Sequence, residues 1–237
     1  VPLDEAPNAF DDQYLKCQSK MWDKVENLNK LEPTSNSVFA TAWAKAADSW
    51  NKPLEHLKRQ EQAIALRAYT LKTDLYKEFN AAVRTAGSSH LEDLSNPFKV
   101  MHFLLTTALQ DLRRAKTHPK CFDVFRGVRG IRFTAKPGDI VRFGQFASSS
   151  LNRKVARGFG TDTFFKLKTC HGADISYFSK FPEQQEVLIP PFETFSVTSV
   201  THKWTKTHIQ LDSNGNRSHY KCGSFSGDIP GVGTPVA

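Results

Sequence analysis

The chain of 237 residues contains no apolar run near the ~18 residues that a membrane-crossing helix needs. It has no Gly-x-Ser-x-Gly elbow, which argues against a serine hydrolase of the usual build. Cysteines are few, at 17, 121, 170 and 222, and none lies in a Cys-x-x-Cys pair or a Cys/His cluster. This argues against a zinc centre of ordinary ligand spacing, and no metal is expected. There is no internal repeat and no dense block of one charge. The net charge is +8, yet the lysines and arginines are scattered, and the pairs Lys58-Arg59 and Arg113-Arg114 fall in helical patterns as solvated faces. Nucleic-acid binding would rest on net charge alone, so no nucleic-acid partner is expected; a dinucleotide or an anionic cell surface fits the balance equally well. An initiator Met is also missing. Val1-Pro2-Leu3 reads as an end left by processing or by design of the expressed segment.

With 39% hydrophobic and 24% charged residues, the composition is that of an ordinary globular protein. The even cysteine count, with one near each end, suits two disulfides and an oxidising compartment. Four cysteines allow three pairings. The favoured one is Cys17–Cys222, tying the ends together, with Cys121–Cys170 clamping the later half. Asn216-Arg217-Ser218 is a glycosylation sequon, weak alone but in keeping with secretion.

Phe10-Asp11-Asp12 reads as a helix start with Asp as cap, followed by a helix over Gln13 to Leu31. After a break at Pro33-Thr34-Ser35-Asn36-Ser37, the residues Val38, Ala42, Trp43, Ala46, Ala47 and Trp50 recur at helical spacing, with Trp43 and Trp50 as core anchors. Ala63 to Thr70 and Leu75 to Val83 read as helical or partly extended, and Ala86-Gly87-Ser88-Ser89 as a loop. Phe98 to Leu112 forms the clearest amphipathic helix, with His102 on its apolar side as a satisfied core histidine. Beyond Pro119 the period shortens. Phe122 to Arg126, Val141 to Phe146, Thr163 to Thr169, Glu186 to Ile189, Phe195 to Val200 and His208 to Leu211 read as strands. A helical half, about 1–115, thus precedes a β half, about 120–222, ahead of a flexible tail over 223–237. No helices regularly separate the strands, which points to an α+β chain with two packed sheets in one domain.

Three stretches of the β half carry candidate chemistry. Arg126 follows Val124-Phe125 and precedes Gly127, a glycine that would admit a ligand to the backbone; arginine suits bidentate phosphate recognition, although a surface strand arginine is commonplace. Phe143 to Ser150 is an aromatic segment ending in hydroxyls, which reads equally as a strand-end cap. Glu183-Gln184-Gln185-Glu186 runs from a polar turn into the apolar run Val187 to Ile189. In a regular strand Gln184 and Glu186 would share a face.

In this order and spacing the three stretches resemble the vertebrate arginine-specific ecto-mono-ADP-ribosyltransferases, related in fold to the clostridial binary toxins. The resemblance extends over Ala9 to Tyr14, Phe98 to Leu112, Arg142 to Leu151, Thr169-Cys170 with Gly172, and Glu186 to Glu193, and the four cysteines fall where that family has its two disulfides. It implies a helical part on a two-sheet NAD-binding core, a signal peptide already removed, and a secreted or lipid-anchored extracellular enzyme. The expected substrates are NAD and protein arginine or water, and the expected state is monomeric. Arg126, Ser148 and Glu186 match the family's Arg, Ser and Glu-x-Glu positions, which implies that Arg126 holds phosphates, Ser148 orients the ribose, and Glu186 stabilises an oxocarbenium-like transition state. Tyr69, Gly127, Gln145 and Ser179 match NAD contacts, and Phe159 is the candidate for stacking on nicotinamide.

Gln184 departs from the family pattern by standing where an arginine transferase has its first Glu. It keeps the shape and loses the charge, with Glu183 next to it as the other candidate for the acceptor site. Either NAD hydrolysis predominates, or Gln184 is an engineered change, or acceptor choice differs. A catalytically silent surface-binding module on the same fold is the reading from another class; intact Arg126, Ser148 and Glu186 speak against it.

Overall fold

The computed structural model describes residues 1–29, 37–71, 73–86 and 96–222. The expected tail over 223–237, the loop at Gly87-Ser88-Ser89 and the break at 33–36 lie outside the described residues.

Five helices precede the first strand among the described residues: α1 (Gln18–Asn29), α2 (Ser37–Ser49), α3 (Gln60–Thr70), α4 (Asp74–Arg84) and α5 (Pro97–Arg113). Helix α5 starts where its chemistry says it should. The Asn96 side chain accepts from the Phe98 N–H at 2.9 Å, and Pro97 occupies the first turn, where its missing N–H costs nothing. Helix α3 is buried along nearly its whole length and is tied to α5 by Gln62. That amide donates to Thr107 and Asp111 at 3.1 and 2.9 Å, while its oxygen accepts from the backbone N–H groups of Lys58 and Arg59. Trp50 is buried and stacks on Phe178, and Trp43 stacks on Phe39, as core anchors should.

The first helix begins later than the sequence pattern indicates, at Gln18 rather than Gln13. The reason lies at the far end of the chain. Asp11 accepts from the backbone N–H groups of His219 and Tyr220, and Asp12 from those of Tyr14 and Cys222, all within 2.9 Å. Carboxylates committed to the C-terminal segment do not cap α1. The disulfide Cys17–Cys222 closes the same junction, and Cys121–Cys170 forms the second bridge. His102 is the satisfied core histidine expected. Phe10 O can only accept, so Nε2 carries the proton and donates to it at 3.0 Å, leaving Nδ1 to accept from the Tyr14 hydroxyl at 2.7 Å.

The strands are β1 (Phe122–Val128), β2 (Ile140–Val141), β3 (Ala147–Ser150), β4 (Thr163–Thr169), β5 (Ala173–Asp174), β6 (Glu186–Ile189), β7 (Glu193–Lys203) and β8 (Lys206–Asn216). The short helix α6 (Arg153–Gly158), which the sequence reading lacked, follows β3. The strands form one ladder in the order β2-β7-β8-β4-β1-β3-β6-β5, parallel only between β4 and β8. The two expected sheets are the arms of this ladder. Five strands and three strands meet at the single pair Phe125↔Ser150, and the arms fold together over a core that includes Val124, Ala147, Phe165, Val187, Ile189 and Leu211. Leu188, one residue off that face, packs with the helices instead. The three-strand arm is therefore covered on both sides, by helices and by the other arm.

The expected strand over Val141 to Phe146 is cut short. Only Ile140 and Val141 pair, because Gly144 turns the chain at φ 71° and lies so close to the N-terminal segment that a Cβ there would meet Ala6 at 2.7 Å.

Candidate functional site

Four elements converge at the join between the two arms. Strand β1 supplies Arg126, whose Nη1 donates to the backbone oxygen of Ser148 on β3 at 2.8 Å; its guanidinium lies 5.3 Å from the Phe143 ring. Strands β3 and β6 pair with Ser148 opposite Leu188 and Ser150 opposite Glu186. By strand alternation Ser148 and Glu186 share the face that carries Leu188, the face turned to the helices. Helix α3 meets it there with Tyr69. The phenol is buried, donates to Phe146 O at 2.8 Å and accepts from Asn80 Nδ2 of α4 at 3.0 Å. Glu186 is 8% exposed, so it is largely withdrawn from solvent.

These groups act on one another electrostatically. Burial, above all, pushes the Tyr69 phenol up to about 12; Asn80, Ser148 and Arg126 pull it back, and the Glu186 carboxylate adds to the rise. Burial likewise lowers Arg126 from its ordinary value, against the opposing pull of Tyr69, Glu186 and Tyr76. An arginine lowered from so high a start remains a cation. Its Nε is buried with no hydrogen-bond partner among the described residues. The pocket thus holds a fixed cation with donor capacity in reserve, a hydroxyl, and a carboxylate on a rigid strand. Such a set can hold an anion next to a sugar and stabilise positive charge that develops on it.

The other residues singled out from the sequence fall in different places. Gly127 is a close-approach glycine, but what approaches is the protein itself: a Cβ would meet the backbone oxygens of Ala156 and Gly160 at 2.1 and 2.3 Å. It seats α6 on β1. Gln145 is held through its side-chain oxygen by Arg84 of α4. Ser179 is buried, with its hydroxyl accepting from the Phe181 N–H at 2.9 Å, so it shapes the turn into β6. Phe159 caps the end of α6 and is 43% exposed. Strand alternation does not extend back from Glu186 to Gln184. Pro182–Gln184 is a turn of 3-10 helix, and Gln185 adopts φ 48° before the strand begins. The Gln184 carbonyl accepts from Ser150 Oγ at 2.7 Å, and Glu183 is exposed on the same turn. The contacts of Asn80 with Tyr69 and of Phe143 with Arg126 were not foreseen, since contacts made across elements leave no local pattern.

The profile of the family described as "ART: NAD:arginine ADP-ribosyltransferase" matches residues 3–219. The erythroblast NAD(P)(+)–arginine ADP-ribosyltransferase of Gallus gallus is 49% identical over 228 residues, covering 94% of this chain and 75% of the relative. The GPI-linked NAD(P)(+)–arginine ADP-ribosyltransferase 1 of Homo sapiens is 43% identical over 243 residues, covering 94% and 74%. Among solved structures, the mono-ADP-ribosyltransferase ART2.2 superposes with a TM-score of 0.73 at 36% identity, covering 94% of this chain and 98% of its own. A single-residue mutant of that enzyme in complex with NADH gives a TM-score of 0.75 at 35% identity over the same shares. Matched along nearly its whole length in sequence and in backbone, the chain belongs to the NAD:arginine ADP-ribosyltransferase family.

Proposed function

We propose that this protein is an extracellular mono-ADP-ribosyltransferase that breaks the nicotinamide–ribose bond of NAD and passes ADP-ribose to protein arginine, with water as a strong competitor. The reading is supported chiefly by the meeting of Arg126, Ser148 and Glu186 in one pocket of a chain of this family. Two disulfides and GPI-linked relatives support residence outside the cell, with a lipid anchor in the full-length precursor. The helical part and the β core act as one domain, and the protein works as a monomer.

Arg126 takes the diphosphate, for which its spare donors suit it. Ser148 orients the ribose. As the C–N glycosidic bond breaks, both its electrons leave with nicotinamide, which departs as a neutral base and needs no acid. Positive charge spreads over the ribose, and the Glu186 carboxylate stabilises it. A guanidinium nitrogen then bonds to the anomeric carbon and gives up a proton. Protonated guanidinium is a very poor nucleophile, so this step benefits from a base. Gln184 cannot serve as one, and hydrolysis gains ground. Tyr69, held by Asn80, backs the pocket, and Phe159 is offered for stacking on nicotinamide.

Labelled NAD with agmatine tests this, measuring free nicotinamide, free ADP-ribose and ADP-ribosyl-agmatine side by side. The parent should release nicotinamide and make more free ADP-ribose than agmatine product. Glu186→Gln should lower kcat by roughly 10²–10³-fold with KM little changed. Gln184→Glu should raise agmatine transfer by roughly 10²–10⁴-fold while nicotinamide release changes much less. Efficient transfer by the parent, lost in Glu183→Gln, would assign the acceptor to Glu183 instead. No nicotinamide above buffer would overturn the reading as a whole.

A further inference from the structure

The long β7–β8 hairpin ends in a two-residue turn, with Lys203 paired to Lys206 across it. Trp204 occupies the first turn position at φ 60° and is 91% exposed, the most exposed of the large hydrophobic residues among those described. A bulky residue in the left-handed region is disfavoured where glycine or asparagine would fit, and an exposed indole gains nothing from the core. Packing does not account for Trp204.

Its surroundings are cationic. Lys203 and Lys206 flank it. Arg132 comes close to the same hairpin, donating from Nε to Thr207 Oγ1 at 2.9 Å. Arg153 and Arg157, from α6, lie over the Phe164 ring at 5.7 and 6.0 Å, on the outer face of the five-strand arm. His208, exposed on β8, lies 5.8 Å from that ring, and its pKa is lowered first by burial and then by Arg153, Arg157, Lys203 and Lys206, so all four cations crowd one histidine. None of these five cations forms an ion pair among the described residues, and the nearby Asp162 carboxylate is taken up by the Gly130 N–H at 2.6 Å. Arg126 and Phe165 point to the opposite side of the same strands.

We propose that the β7–β8 tip and helix α6 form a binding site for a sulfated polysaccharide of the cell surface or matrix. The cations would meet sulfate and carboxylate groups along a linear polyanion, and the indole would lie against a sugar ring. The site rests on extracellular residence but not on the NAD chemistry. A bare cation cluster would suit any polyanion; the projecting aromatic beside it favours a ligand that presents ring faces together with charge.

Binding of the intact protein to a heparin-derived oligosaccharide, measured by calorimetry over a series of salt concentrations, tests the inference. The logarithm of affinity should fall linearly with the logarithm of salt, and Lys203→Ala with Lys206→Ala should reduce that slope by about one to two. Trp204→Ala should weaken binding roughly ten-fold while barely altering the slope. NAD cleavage should be unchanged in both variants, which also reports that they are folded. Lys16→Ala with Lys24→Ala, equal in charge but on the exposed side of the N-terminal segment and α1, should bind like the parent. Equal loss in that control would reduce the effect to net charge and overturn the proposal. So would undiminished binding to desulfated oligosaccharide, or tighter binding to phosphatidylserine vesicles or to duplex DNA than to the sulfated chain.

Discussion

Two arginines of the β half have opposite surroundings. Arg142, just after β2, is 1% exposed and spends its guanidinium on the protein. It donates to Glu5 O, Ala6 O and Arg217 O at 2.6 to 2.9 Å and pairs with the Asp11 carboxylate at 2.6 Å. Asp11 in turn holds His219 and Tyr220, so the N-terminal segment, the strand end and the C-terminal segment form one buried knot. Arg126, by contrast, makes one hydrogen bond to Ser148 O and keeps Nε unpartnered among the described residues. The knot leaves little donor capacity for a ligand; the pocket keeps some in hand. Arg142 is wholly buried and Arg126 half-buried with its Nε out of solvent, and what separates a structural arginine from a functional one is how far the protein itself satisfies it.

That contrast can be broken first at the disulfide. Cys17–Cys222 closes a loop of 205 residues at the knot, for which the chain-entropy relation gives about 5 kcal/mol; Cys121–Cys170, spanning 49 residues, is worth about 4 kcal/mol. Paired Cys→Ser variants unfolded in urea should follow that order, with the knot variant the less stable. A larger loss from the shorter loop would mean that strain or residual unfolded structure outweighs loop closure.

The arginines themselves come next. Arg142→Met leaves Asp11 buried without its cation and should cost about 3–5 kcal/mol. Arg126→Met gives up one charged hydrogen bond, about 1.5–3 kcal/mol, yet should abolish measurable nicotinamide release. Denaturation and activity assays on the two proteins should therefore rank them in opposite orders. Equal stability losses would mean that Arg126 is as structural as Arg142.

The effect that is smallest per step of pH sharpens the knot side. Burial, chiefly, lowers His102 from 6.5 to about 3, with the Lys99 charge adding to it and the hydrogen bond to Phe10 opposing. The folded-state pKa lies below the unfolded one, so between these values the unfolded chain carries the extra proton. Stability is then lost as pH falls below about 6.5, by up to about 1.4 kcal/mol per pH unit from this residue alone. His102→Gln should flatten the acid limb of stability against pH. An unchanged slope would place the proton uptake elsewhere.

The long periodic elements were legible because each is decided by its own residues. Helix α5 matches its apolar spacing, strand β4 matches its expected bounds Thr163 to Thr169, and His102 lies buried on the apolar side of α5. The family was legible through the order and spacing of its motifs, and the two bridges agree with the favoured cysteine pairing. The polar turn ahead of β6 was legible, but its form as a 3-10 turn at Pro182–Gln184 was not, because three residues offer no period to detect. Gly127 was read as room for a ligand, since glycine announces close approach without saying what approaches.

The sequence by itself determined the helical and β halves and the motif positions of Arg126, Ser148 and Glu186, because propensity, period and motif are local along the chain. Only the tertiary structure decided that Asp11 and Asp12 serve residues more than two hundred positions away, as at His219 and Cys222, instead of capping α1. It also decided that the ladder folds at Phe125↔Ser150, that Tyr69 reaches Phe146 and Asn80, and that Trp204 stands out among cations. Each of these is a contact between segments distant in sequence. Its partner, and hence its meaning, exists only once the core has packed and set which buried polar group can reach which.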